Sequence, residues 1–71
     1  MTRYLIIIEE TETGLSAYSP DLPGCVSTGM SMADVEENMR EAISAHLDAL
    51  RDDGIPVPKP TSVATYVEVA A

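Results

Sequence analysis

Cysteine, positive charge and long apolar runs are scarce in this 71-residue sequence, and each shortage excludes a class of protein. The single cysteine, Cys25, cannot form a disulfide within the chain, which argues against a disulfide-rich secreted domain and favours a reducing cytoplasm. Four Lys and Arg residues stand against twelve Asp and Glu residues, a net charge of −8. Direct binding to DNA or RNA needs a basic surface, so we expect none. The N-terminal apolar run, residues 4–8, is too short for a signal peptide or a membrane span.

Apolar residues make up 45% of the chain, which argues against disorder, and the length limits it to one domain. A chain of this size buries only about 60% of its surface on folding. Without a disulfide, its stability should come from association or from idealised packing. The acidic charge favours a basic protein partner through complementary fields, although it could equally serve only to keep a small protein soluble.

Four short segments have the composition of β-strands. Residues 3–9 (RYLIIIE) are apolar on both faces, which predicts a central strand covered on both sides. Residues 15–19 (LSAYS) alternate and follow a short polar turn, so the first two strands should form a hairpin. Residues 25–28 (CVST) and 63–69 (VATYVEV) are the third and fourth predicted strands.

The clearest predicted element is a helix that begins at Ser31 and stops before Gly54. Ser31 and Asp34, three residues apart, form a capping-box-like pair at its start. Apolar residues recur at helical spacing along it: Met32, Val35, Met39, Ala42, Ile43, Leu47 and Leu50. Three alternating prolines within residues 55–61 then predict an extended, stiff return to the sheet.

The predicted architecture is an α+β domain over residues 1–71 with the order β-β-β-α-β. The first three strands form an antiparallel meander, and the helix is a right-handed crossover to the fourth strand. That strand should pair in parallel with the first, which gives a four-stranded, mostly antiparallel sheet of order 3-2-1-4 with one helix on one face. The other face keeps an apolar surface, and such surfaces mark interfaces. We hypothesise that a second subunit or another protein covers this face or extends an edge strand.

No set of residues in the sequence specifies a catalytic, cofactor or metal site. His46 lies in line with the apolar stripe of the helix without an evident nucleophile, and Cys25 lacks a basic neighbour and a second ligand. The element order resembles the ribonuclease H core, whose metal site needs acids at one locus. Here Glu9, Glu41 and Glu68 are predicted on three elements without such a locus. We therefore expect no enzyme and no cofactor, with a metal-dependent ribonuclease as the less favoured alternative.

Residues 18–29 (YSPDLPGCVSTG) have the density of proline, glycine and acid that is typical of an active-site loop. They are better explained as a structural corner, since Pro23-Gly24 suits the central positions of a type II turn. The predicted structural residues are Pro20, Pro23, Gly24 and Gly29, followed by the cap residues Ser31 and Asp34. The predicted partner contacts are Tyr18, Asp21 and Leu22, because they project from a corner beside a strand edge.

The same corner carries a resemblance to a known family. Residues 18–26 (YSPDLPGCV), 37–43 (ENMREAI) and 53–58 (DGIPVP), at these spacings, resemble the HicB-like antitoxins, and the resemblance covers nearly the whole chain. It implies a degraded ribonuclease H-like fold without nuclease activity and a role in a type II toxin–antitoxin system. It also implies binding to a small basic HicA-type toxin, an mRNA interferase, and assembly into dimers or tetramers.

Many members of this family carry a C-terminal DNA-binding domain that represses their own operon. The sequence ends at Ala71, directly after the fourth predicted strand. The resemblance therefore predicts a short form with a single HicB-like domain and no DNA-binding domain. The alternative function is that of a solitary homo-oligomeric adaptor without a toxin.

Overall fold

Three strands and one helix follow one another in the order β-β-β-α in a computed structural model that describes residues 1–71. The strands are β1 (Ile7–Glu10), β2 (Leu15–Tyr18) and β3 (Val26–Gly29), and the helix α1 spans Met32–Asp52. Both strand pairs are antiparallel, and the sheet order is β1-β2-β3. The first three strands thus form the expected meander, although β1 begins four residues later than predicted.

The register of the strands gives the sheet two different faces. Ile8 lies opposite Ala17, and both pack toward α1 and the core. Ile7 lies opposite Tyr18, which lies opposite Val26 on the third strand. Because side chains alternate along a strand, these three point away from the helix. They form an apolar row that we call the outer face, and Val26 is 64% exposed there.

Local signals fix both ends of α1. The Ser31 hydroxyl accepts a hydrogen bond from the Asp34 backbone N–H at 3.1 Å, which satisfies one of the free amides of the first turn. At the other end, Gly54 has a φ of +69°, and the Ile55 N–H donates to the Leu50 carbonyl at 2.9 Å. This is the Schellman arrangement, which glycine permits because it has no Cβ.

The core between the sheet and α1 is small. Only six of the 71 residues are buried, and the largest fully buried side chains are Leu22, Val35 and Met39. β3 approaches the start of α1 so closely that a Cβ on Gly29 would lie 2.5 Å from the Val35 amide nitrogen. This close approach of β3 to the helix requires glycine at position 29.

The predicted fourth strand is absent, so the four-stranded sheet of order 3-2-1-4 was wrong. Residues 63–69 pair with no strand of the chain, and Tyr66 and Val67 are 100% and 80% exposed. As a result, β1 has a single neighbour and lies at an edge of the sheet instead of its centre. The predicted likeness to the ribonuclease H core depended on the order β-β-β-α-β. Because the fourth strand is absent, the observed order β-β-β-α does not support that likeness.

Hydrogen bonds just before residue 63 explain why the chain does not return to its own sheet. The Asp21 carboxylate accepts bonds of 2.9–3.3 Å from the backbone N–H and hydroxyl groups of both Thr61 and Ser62. The Tyr4 hydroxyl donates to the Pro58 carbonyl. These contacts, which we call the clamp, hold residues 58–62 against the corner, and beyond them every residue is exposed.

Candidate functional site

The reactive side chains of the chain are dispersed. No group of three or more His, Cys, Asp or Glu side chains is close enough to hold a metal ion. Cys25 is buried, and this burial raises the pKa of its thiol, which disfavours the reactive thiolate. No helix combines the length and the hydropathy needed to cross a membrane.

The corner between β2 and β3 is closed by its own hydrogen bonds. The Cys25 N–H donates to the Leu22 carbonyl at 3.0 Å, and Gly24 has a φ of +81°, so Pro23 and Gly24 occupy the central positions of a type II turn. The Ser19 hydroxyl donates to the Leu5 carbonyl at 2.9 Å, which ties the corner to the chain before β1. Pro23 and Gly24 thus serve the geometry of the turn.

The three predicted contact residues occupy different environments. Tyr18 is 39% exposed on the outer face, whereas Leu22 is completely buried in the core. Leu22 is therefore unavailable to a partner of the folded chain, because its apolar side chain is the one that fills the space beneath the turn. Asp21 lies at the surface, but its carboxylate is already engaged in the clamp.

The clamp also sets the acidity of Asp21. Partial loss of solvent would raise the pKa of this carboxyl group, but the hydrogen bonds from Ser62 and Thr61 outweigh that effect and lower it below its ordinary value. The clamp is therefore formed with a charged carboxylate at neutral pH.

An apolar groove runs between the free edge of β1 and α1. It has a volume of about 700 Å³, and we call it the edge groove. Its apolar lining comes from α1 (Met39, Ile43 and Leu47), from Ile8 in β1, and from the residues before that strand (Met1, Tyr4 and Ile6). The sequence predicted a central strand over residues 3–9, covered on both sides, whereas β1 has only one neighbouring strand and the groove lies open beside it.

The surface charge is predominantly negative. Two of the four basic side chains, Arg40 and Arg51, form exposed ion pairs with acids one helical turn earlier on α1, Glu37 and Asp48. Such exposed pairs contribute little stability, but they neutralise positive charge locally. Most of the twelve acids form no ion pair with a basic side chain. The electrostatic potential around the chain is therefore negative, which favours approach by positively charged molecules.

The chain resembles known proteins over most of its length. The model of a family described as HicB-like antitoxins of bacterial toxin–antitoxin systems matches residues 4–70. A UPF0150 protein of Helicobacter pylori is 38% identical, over 90% of each chain. An uncharacterised 14.9 kDa protein of Haemophilus phage HP1 is 34% identical over 90% of this chain, which spans about half (48%) of the phage protein.

Among solved structures, a chain of a HicA3 and HicB3 toxin–antitoxin complex resembles this one. The two share 38% sequence identity and superimpose with a TM-score of 0.74. The match covers 84% of this chain and 70% of that one.

Proposed function

The chain belongs to the family of HicB-like antitoxins of bacterial toxin–antitoxin systems, and from that premise we propose that it binds and neutralises a small basic toxin of the HicA type. The observation that supports this best is the structural match, at 38% identity, to a chain from a complex of a toxin with its antitoxin. The net charge of −8 supports a basic partner, because opposite fields accelerate encounter and suppress wrong pairings.

In this proposal the chain acts by covering the toxin and catalyses nothing itself. The three acids that were weighed for a nuclease site lie on different parts of the chain: Glu9 on β1, Glu41 on α1 and Glu68 in the exposed residues after the clamp. A toxin that cleaves mRNA acts in the cytoplasm, which is also where the free thiol of Cys25 is compatible with the redox state. We therefore propose a cytoplasmic location, without cofactor.

Self-association is the second part of the proposal. A core of six buried residues is small for an independent domain, and chains of this size commonly rely on oligomerisation. The outer face adds an uncovered apolar row, Ile7, Tyr18 and Val26. A dimer or tetramer would bury this surface, and Tyr18 is the predicted contact residue that is best exposed for either kind of partner.

Co-expression tests the toxin part of the proposal. A HicA-type reading frame from beside this gene should arrest growth when it is induced alone, and this chain should restore growth. Val35→Asp places a charge in the core and supplies the unfolded control. Persistent arrest with the folded chain present would contradict the proposal, and absence of any such neighbouring gene would favour the solitary adaptor.

A further inference from the structure

Residues 63–69 are an apolar segment with the alternation of a strand but no partner strand. Val63, Tyr66, Val67 and Val69 are all at least 77% exposed, and they are four of the ten large apolar residues exposed on the chain. Val63, Val67 and Val69 share one side of an extended chain with Thr65, while Tyr66 lies on the other. A valine-rich strand of this kind is stable only when its backbone and one face are covered.

The edge groove offers what this segment lacks. β1 pairs with β2 alone, so its opposite edge presents unpaired backbone N–H and C=O groups. Beside that edge lie Ile8 of β1, Ile6 just before that strand, and Ile43 and Leu47 from α1, each only partly buried. The chain thus contains both surfaces that a strand pairing needs. One is the free edge of β1 beside an apolar groove, and the other is an unpaired apolar segment.

The clamp keeps these two surfaces apart within one chain. Asp21 holds Thr61 and Ser62 at the corner, and residues 63–71 beyond them are all exposed and pair with no strand of their own chain. A second copy brings an identical groove and an identical segment, so a two-fold arrangement satisfies both at once.

We propose that two copies exchange residues 63–69, each segment lying along β1 of the other copy in its edge groove. The strand adds backbone hydrogen bonds to the free edge, and the side that carries Val67 covers Ile43 and Leu47. Tyr66 then lies on the opposite side, where it extends the apolar row of the outer face. The inference depends on the self-association proposed above and is independent of toxin binding.

Two single substitutions test the two surfaces in the full-length chain. Val67→Asp disables the segment, and Ser44→Arg fills the groove from an exposed lining position without altering the core. Sedimentation equilibrium at micromolar concentration should give twice the single-chain mass of 7.6 kDa for the parent and the single-chain mass for each variant. The dissociation constant should rise at least about tenfold in both.

Two matched controls distinguish a specific effect on the groove or the segment from the general effect of adding a charge to the surface. Met30→Asp adds the same charge at an exposed apolar residue that does not line the groove, and Ala45→Arg adds the same cation one residue away on α1. Both should keep the two-chain mass. The circular dichroism of α1 should be unchanged in all four variants.

Mixing the two disabling variants gives the sharpest result. The Ser44→Arg chain has an intact segment, and the Val67→Asp chain has an intact groove, so a mixed pair regains one of the two exchanged strands. Two-chain species should reappear in the mixture although neither variant forms them alone. If the mixture stays single-chain, or if Val26→Asp on the outer face dissociates the protein while Val67→Asp does not, the exchange is refuted. Toxin rescue by a single-chain Val67→Asp variant would leave the antitoxin function standing.

Discussion

Substitution of Leu22 tests most directly whether the corner between β2 and β3 is part of the folded core or a surface that contacts a partner. The leucine is completely buried, among core residues that include Val35 and Met39. Leu22→Ala removes three carbons, each of which contributes about 0.8 kcal/mol on burial, and the resulting cavity brings the expected loss to about 2–5 kcal/mol. A folded chain of 71 residues has roughly 4–10 kcal/mol of unfolding free energy in total. The substitution should therefore remove a large share of the stability.

The assay is urea denaturation followed by far-ultraviolet circular dichroism, at one fixed protein concentration because association itself adds stability. Met30→Ala, eight residues away and 77% exposed, is the control and should cost less than about 1 kcal/mol. If Leu22→Ala left the unfolding free energy within that range but weakened partner binding, the side chain would be a contact after all, and the placement of the corner in the core would be wrong.

Three further predictions concern the elements around the corner. Gly29→Ala should cost about 1–3 kcal/mol in the same denaturation assay, because the new Cβ meets the α1 backbone at Val35; equal stability would show that β3 and α1 are not in contact. Ser31→Ala should cost about 1 kcal/mol through loss of the cap, and no change would mean that the hydroxyl is not bonded to the helix. The charged Asp21 carboxylate should stabilise the clamp above its ordinary pKa, and this contribution should be lost as the pH falls through its lowered native pKa. The amide NMR shifts of residues 61 and 62 should follow that titration in the parent and be independent of pH in Asp21→Asn.

The elements that the sequence predicted well are those whose signals are local. α1 is bounded within one or two residues because Ser31 and Gly54 act on the turns beside them. The β1-β2 hairpin follows from a short polar connection between two alternating segments. Pro23 and Gly24 determine their turn by their own backbone preferences, which need no information from distant residues.

The errors concern contacts between residues far apart in sequence. The alternation of residues 63–69 indicates that the segment prefers an extended conformation with one covered face, but it does not say which edge covers it. That depends on the clamp, in which Asp21 reaches a segment forty residues later through side-chain hydrogen bonds. Leu22 was misplaced for a related reason, since a loop rich in proline and glycine suggests exposure although one of its side chains fills the core.

The central claim, that the chain acts by covering a toxin, is tested most directly by titration in solution. The purified chain is added to a HicA-type toxin that is cleaving an RNA substrate, and the residual cleavage is measured against the ratio of the two proteins. The account predicts that cleavage falls to zero at a fixed stoichiometric ratio and that the chain alone leaves the RNA intact. Cleavage that continues in the presence of excess folded chain, or cleavage by the chain itself, would contradict it.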